Sequence, residues 1–379
     1  MIYLDHAATT KPFDEVLSAM HAVAVSHFAN PSSLHDEGIK ARKKMNQTRK
    51  GLAAMFNVSY KQLIATASGT EAIHMIVRGV AKKHPDKVLV STTTEHHAVK
   101  HTLEQLACEG HKVVLIPVDD AGRLDEKAYH AALKTHDVAL VSVLYANNET
   151  GVIQAVESLT HAAHQAGALM HLDMVQVPLH KPVDLARLDT DFASFSAHKF
   201  HGPRGIGLAY IKDANTLEKS MHGGKQEFDL RAGTENLPGL VGTLKALELV
   251  EAQRDAWEAI IEARVAYFLQ CLNSRPMAYR INGTPLGQHR IPGTLNLGFK
   301  DVDAQQLSFY LNQRGIYVSL GSACSSSNIE PSHVLKAMRV PKEYLYGSLR
   351  LSFGPEVSER DVLYLVDCLE QYLHETAPE

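Results

Sequence analysis

Cysteine is scarce: Cys108, Cys271, Cys324 and Cys368 are the four in a chain of 379 residues. They form no CxxC pair and show no metal-ligand spacing, which excludes a cysteine-built metal centre and predicts free thiols. Charge of one sign is equally lacking. Thirty-eight Lys and Arg against 42 Asp and Glu leave a net charge of −4, so no basic field marks a nucleic-acid surface and no direct nucleic-acid partner is expected. No apolar run is long enough to span a bilayer, and Met1-Ile2-Tyr3-Leu4-Asp5-His6 has no charged segment leading into an apolar one. These absences predict a cytoplasmic protein with no membrane partner. Internal repeats and low-complexity segments are missing too.

What is present is apolar content, 45% of the chain, enough for two cores at this length. Continuous apolar runs at residues 63–66, 88–91, 113–116, 139–144, 169–173, 192–195 and 207–211 alternate with helical patterns. Runs of this kind read as strands covered on both faces, hence an α/β fold with a mostly parallel seven-stranded sheet. From Leu240 to Leu269 apolar residues recur at helical spacing, as one long helix or two. Short strands at 294–297, 316–318 and 348–351 then mix with helices, among them 303–314 and a last one opened by the capping box Ser358-Glu359-Arg360-Asp361. The expected division is a large α/β domain over 15–255 and a smaller α+β domain from 1–14 and 256–379.

Candidate chemistry gathers at strand ends, where such sheets bind ligands. Ser196-Ala197-His198-Lys199 ends one apolar run and enters the Gly/Pro stretch at 200–205. Alone, Lys199 reads as a surface lysine at a loop start. Leu169-Met170-His171-Leu172-Asp173 ends a neighbouring run in a carboxylate that alone would read as a cap or turn residue. Together and in this order they suit pyridoxal phosphate: a rigidly placed, partly buried amine for the Schiff base, and a carboxylate that keeps the pyridine nitrogen protonated so that the ring accepts electrons. Ala67-Ser68-Gly69-Thr70-Glu71 offers a strand end, a glycine and a hydroxyl at a helix start, as a phosphate requires. His96, after the next strand, is placed to stack on a ring or move protons. A rival use is zinc, through His97 and His101 with Glu95 or His96, but no further ligand cluster is evident.

In order, Tyr3 to Thr10, Asn30-Pro31-Ser32-Ser33-Leu34-His35, Ser68 to Glu71, Glu95-His96, Ala146-Asn147-Asn148-Glu149-Thr150-Gly151, Asp173 to Gln176, Ser196 to Lys199, Arg231 to Asn236, Gly321-Ser322-Ala323-Cys324 and Arg350-Leu351-Ser352 resemble the NifS/IscS-type cysteine desulfurases. These are class V members of the fold-type-I, pyridoxal-phosphate-dependent transferases. The resemblance implies Lys199 as the Schiff-base lysine, His96 as the ring-stacking proton shuttle, Asp173 on the pyridine nitrogen and Gln176 on the ring oxygen. It implies Thr70, Ser196 and His198 as phosphate ligands, and Thr234 reaching the cofactor phosphate of the other subunit in a homodimer. Arg350 would grip the carboxylate of L-cysteine, helped by Asn148 and Asn30.

Cys324 decides between activities within that family. Its surroundings, Gly321 to Asn328, are small and polar, a poor place for a packing cysteine and a good one for a reactive thiol. The resemblance implies that it takes sulfur as a persulfide, leaving L-alanine, and passes the sulfur to a protein acceptor such as an iron–sulfur scaffold or a tRNA-thiolation enzyme. A selenocysteine lyase, another class V aminotransferase and an inactive sulfur carrier are the alternatives. The chain departs from the family pattern at His6, at His74 after Glu71-Ala72-Ile73, and at Lys225 in Gly223-Gly224-Lys225-Gln226-Glu227. None of these departures removes a catalytic group.

Overall fold

The computed structural model describes residues 1–287, 289–320 and 331–376; Cys324 lies outside them. The chain begins with β1 (Ile2–Tyr3), α1 (Asp14–Ser26) and α2 (Asp36–Met55). Seven strands alternating with helices follow: β2 (Leu63–Thr66), α3 (Gly69–Lys83), β3 (Val88–Thr92), α4 (His97–Cys108), β4 (Lys112–Ile116), α5 (Glu126–Thr135), β5 (Val138–Leu144), α6 (Val156–Gln165), β6 (Leu169–Asp173), the short α7 (Leu185–Leu188), β7 (Phe192–Ser196) and β8 (Gly207–Ile211). Next come α8 (Leu237–Asn273), β9 (Tyr279–Asn282), β10 (Thr294–Phe299), α9 (Ala304–Gln313), β11 (Ile316–Tyr317), α10 (His333–Ala337), α11 (Lys342–Leu345), β12 (Ser348–Ser352) and α12 (Glu359–Glu375).

The seven strands form one sheet in the order β2-β8-β7-β6-β5-β3-β4, parallel except for β8, which runs antiparallel to both neighbours. Strands that are β-branched and apolar throughout need cover on both sides. Here α3 and α4 pack on one face through Ile73, Val77, Val99 and Leu103, while α1, α2, α5, α6 and the first half of α8 pack on the other. The edge strand β4 departs from the sequence expectation. Lys112 and Leu115 are exposed, because only one edge of β4 meets the sheet and its helical cover is thin.

The long helical pattern is a single helix, α8, of 37 residues, about 55 Å at 1.5 Å per residue. Asn236 caps it by accepting from the Gly239 N–H at 2.9 Å. Leu240, Leu247 and Val250 belong to the sheet's core, whereas Ile261, Val265, Phe268 and Leu272 belong to a second core with β10, β12, α9 and α12. Trp257 touches both. Ile2 and Leu4 also enter the second core, because β1 pairs in parallel with β11 and the Leu4 carbonyl accepts from the Ser352 N–H of β12 at 2.8 Å. From there residues 5–11 run back across the carboxyl ends of the sheet.

Candidate active site

The ends of β6 and β7, the start of α3 and the loop after β3 enclose a cavity of about 240 Å3. Thr70, His96, Asn148, Asp173, Gln176, Ser196, His198 and Lys199 all line it, together with Ser68, Gly69, Ile73, Leu144 and Val175. Eight of the residues singled out in the sequence therefore meet at one place.

The floor is built by close backbone approach. Ser68 is extended and its hydroxyl accepts from the Glu71 N–H at 3.1 Å, while its carbonyl accepts from the Thr66 hydroxyl at 2.8 Å. The Glu71 carboxylate accepts from the Ala67 N–H at 2.7 Å and from Arg231 Nε at 2.8 Å. A Cβ on Gly69 would stand 3.0 Å from Val175 and 3.3 Å from Ser196; one on Gly207 would stand 2.4 Å from the Ser68 backbone. Gly207 therefore admits no side chain and Gly69 admits one only if Val175 gives by a few tenths of an ångström; the result is a tight turn at the head of a 15-residue helix, whose first N–H groups lack intrahelical acceptors.

Lys199 ends a single 3-10 turn after β7. Its Nζ donates to the carbonyls of Ala7 at 2.7 Å and Ala8 at 2.8 Å. Burial, and then the Arg350 guanidinium, bring its amine down to about 8, against partial opposition from Asp5 and Asp173. Asp173 is 1% exposed. Its Oδ1 accepts from the Val175 N–H at 3.1 Å and the Ser194 hydroxyl at 3.5 Å, yet burial still lifts it to about 6. Beside it, His171 is held between the Ser142 and Ser194 hydroxyls at 2.8 and 3.2 Å. Gln176 Nε2 donates to the Ala7 carbonyl at 2.9 Å, and the residue lines the cavity. His198 Nδ1 meets the Thr9 hydroxyl at 3.1 Å.

His96 is the N-cap of α4, its Nδ1 accepting from the Ala98 N–H at 3.1 Å. That bond fixes the tautomer: the neutral ring carries its proton on Nε2. Burial, followed by the charge of Lys199, lowers the ring to about 4, so it is neutral at physiological pH. Arg350, on β12, is 3% exposed. Its Nη2 donates to Asp5 at 2.6 Å and its Nη1 to the Asn148 carbonyl at 3.1 Å, while Nε has no partner among the described residues.

Arg350 thus backs the cavity through Asn148 without lining it. Thr234 and Asn30 are exposed and do not line it; Asn30 Oδ1 instead accepts from the Ser32 N–H at 2.9 Å. His97 and His101 stack face to face, centroids 5.0 Å apart, and His333 sits 4.9 Å from His97. Among the described residues no group of three or more His, Cys, Asp or Glu is placed to hold a metal ion. A larger cavity of about 730 Å3 beside α9, α10 and α11 holds none of the residues singled out.

Three features escape a sequence reading. The Ala7 and Ala8 carbonyls that hold Lys199 carry no side-chain signal. Asp5, the partner of Arg350, lies 345 positions away from it. Glu95 and Glu149 are 1% and 3% exposed, and nothing in their neighbours' identities announces that a carboxyl group is buried there.

The donor set fits pyridoxal phosphate: a neutralisable buried amine and a buried carboxylate face one cavity, with a glycine-floored N–H turn and two hydroxyls at one end. An aminotransferase class-V family model matches residues 2–365. A cysteine desulfurase IscS of Dictyoglomus turgidum is 37% identical over 378 residues, covering 98% of this chain and 94% of its own length. A cysteine desulfurase of Sinorhizobium fredii is 39% identical, covering 100% and 98%. Among solved structures, a NifS-like protein superposes with a TM-score of 0.91 at 34% identity over 99% of both chains. One described as SspA in complex with cysteine gives 0.82 at 27% identity, over 94% of this chain and 99% of that one.

Proposed function

Because the chain belongs to the class-V aminotransferase family, we propose that the cavity at the ends of β6 and β7 is where it carries out its reaction. The chain is a cysteine desulfurase of the NifS/IscS type and depends on pyridoxal phosphate. The observation that carries the site reading is the convergence of Lys199 and Asp173 on one cavity floored by the Ser68–Thr70 turn.

In this reading Lys199 would hold the cofactor through its Nζ, and the N–H groups at the Gly69–Thr70 turn with the side chains of Thr70, Ser196 and His198 would hold its phosphate. Asp173 would pair the pyridine nitrogen, and the second N–H of the Gln176 amide would donate to the ring oxygen. When bound, the cofactor supplies an electron sink for charge developing at the substrate Cα. Arg350 binds the carboxylate of L-cysteine with its planar fork, aided by Asn148 and Asn30. Lys199 Nζ, once free and neutral, takes the Cα proton; its lowered basicity keeps a usable fraction unprotonated near neutral pH. Cys324 attacks the substrate sulfur as a thiolate. The C–S bond breaks as the S–S bond forms, and the carbon fragment gains protons, their transfer managed by His96, to leave as L-alanine. No external oxidant is needed: the substrate Cβ is reduced by two electrons as it becomes the methyl group of alanine, and the two sulfurs are oxidised by two electrons as they join in the persulfide.

The same reading takes the enzyme as a cytoplasmic homodimer, with Thr234 of each subunit reaching the other's phosphate site; its exposure supports this. It divides the chain into 15–255 and 1–14 with 256–379, in line with two cores bridged by α8. The persulfide sulfur goes to a protein acceptor, in iron–sulfur cluster assembly or tRNA thiolation. None of the helices among the described residues is long and apolar enough to cross a membrane. The test is alanine formation from L-cysteine under reducing conditions, with Cys324→Ala run alongside. Alanine from the wild type and a variant that binds cofactor but is nearly inactive are expected. Equal alanine from both would remove Cys324 from the reaction.

A further inference from the structure

In the sequence Glu95 is the neighbour of His96 and a rival zinc ligand; in the structure it is as secluded as Asp173, at 1% exposure. Its Oε1 accepts from the Thr92 hydroxyl at 2.6 Å and from the Leu144 N–H at 3.1 Å. One carboxyl oxygen therefore ties the end of β3 to the end of β5. Its Oε2 has no partner among the described residues. His333 Nε2, from α10, donates to the Glu95 backbone carbonyl at 2.9 Å rather than to its carboxyl group.

The group facing it is another acid. Leu144 and Asp173 are register partners on β5 and β6, so the carboxyl gripping Leu144 lies beside Asp173, and the charge of Asp173 acts on it. Two carboxylates in one dry interior cannot both ionise cheaply. Asp173 has the better claim to the charge: it receives a backbone N–H and a hydroxyl, and Lys199 acts on it favourably. Glu95 has two donors on one oxygen and nothing on the other, a pattern a neutral acid tolerates and a carboxylate does not.

We propose that Glu95 is a positioning residue that works as a neutral carboxylic acid, pinning the β3 and β5 ends so that His96 faces the cavity and leaving Asp173 as the single anion of the pair. The proposal rests on the site reading above. Burial raises Glu95 to about 8, so the proton is held at neutral pH and released on the alkaline side. Release would place a second negative charge beside Asp173, raise its proton affinity and unsettle the loop that carries His96.

The direct test is infrared spectroscopy of the holoenzyme, following the carbonyl stretch of a protonated carboxyl group as pH is raised through about 8. Wild type should lose such a band, and Glu95→Gln should lack it. Kinetics supply the second readout. Glu95→Ala should lower kcat/KM for L-cysteine about tenfold or more, and Glu95→Gln, neutral and of the same shape, should recover it to within about threefold while losing the wild type's alkaline fall. The proposal is overturned if no band distinguishes wild type from Glu95→Gln. It is equally overturned if Glu95→Gln folds but loses about a hundredfold, since the charge would then be needed; this comparison stands even if Glu95→Ala does not fold. A band that titrates in an enzyme making no alanine would uphold the neutral acid and bring down the site reading instead.

Discussion

Gly207→Ala tests the construction of the phosphate turn with a single carbon. Gly207 opens β8 and pairs with Thr66 on one side and Ser196 on the other. A Cβ there would stand 2.4 Å from the Ser68 carbonyl carbon and 2.7 Å from both the Gly69 nitrogen and the Phe195 oxygen. All three are backbone atoms, fixed by the Ser68 cap, the Thr66 hydroxyl and the ladder, so no side chain can swing aside. Relief requires the turn to move by about 1 Å, and overpacking of this kind costs about 1–3 kcal/mol. The displaced groups are the N–H donors at the head of α3, so the cost should fall on cofactor binding, as an affinity about 5- to 150-fold weaker. The assay is titration of the apoprotein with pyridoxal phosphate, read by absorbance, beside thermal unfolding without cofactor. Gly205→Ala is the control: its φ of +77° strains an alanine, but nothing lies within 4 Å of the new carbon, so it should lose stability and keep affinity. A Gly207→Ala protein that binds within about twofold of wild type and melts normally would refute the account of the turn.

Three further outcomes follow from the geometry. Only the neutral Lys199 amine can combine with the cofactor, so the rate at which apoprotein takes up pyridoxal phosphate should climb with pH and level off above about 8; a climb continuing toward the ordinary lysine value of 10.5 would show the amine unperturbed. Arg350→Lys keeps the charge but loses the fork and its bond to Asp5 or Asn148, and should raise KM for L-cysteine about tenfold with a smaller change in kcat; an unchanged KM would take Arg350 out of substrate binding. Arg49 and Glu227 pair at 2.5 Å with both side chains buried, and Glu227 also accepts from the Ala65 N–H at 2.9 Å. Glu227→Ala strands a buried guanidinium and should cost about 3–5 kcal/mol in denaturant unfolding, a loss below about 1 kcal/mol being incompatible with that burial.

The sheet was readable because its strands are apolar without interruption, which physical cover on both faces demands. The reading failed at β4, where Lys112 and Leu115 meet solvent at an edge; periodicity does not report position within a sheet. The sequence left α8 as one helix or two broken near the middle, because periodicity does not show that one helix passes from the sheet's core into the second, as Trp257 between them reveals. In the site, chemistry carried by residue type was visible: an amine, an acid and a glycine turn, each at a strand end. What stayed hidden was supplied by backbone or by distance. Ala7 and Ala8 act through carbonyls that any residue has. Asp5 meets Arg350 only after the chain has closed on itself. Glu95 reads as a motif residue and a rival zinc ligand until Thr92 and Leu144 are seen to hold its carboxyl group.

The return path of residues 5–11 bears on how the molecule is made. Those residues supply the carbonyls that hold Lys199 and Gln176, but they are anchored by Ile2 against Ile316 and by Leu4 against Ser352. On a ribosome, residues 63–211 can assemble their sheet while the anchors for residues 2–4 are still unsynthesised. The earliest part of the site to be translated is thus the latest to be placed, and long-range closures of this sort are slow. A nascent chain can present Lys199 and Asp173 with the rim of their cavity still missing, so firm capture of the cofactor marks a finished chain.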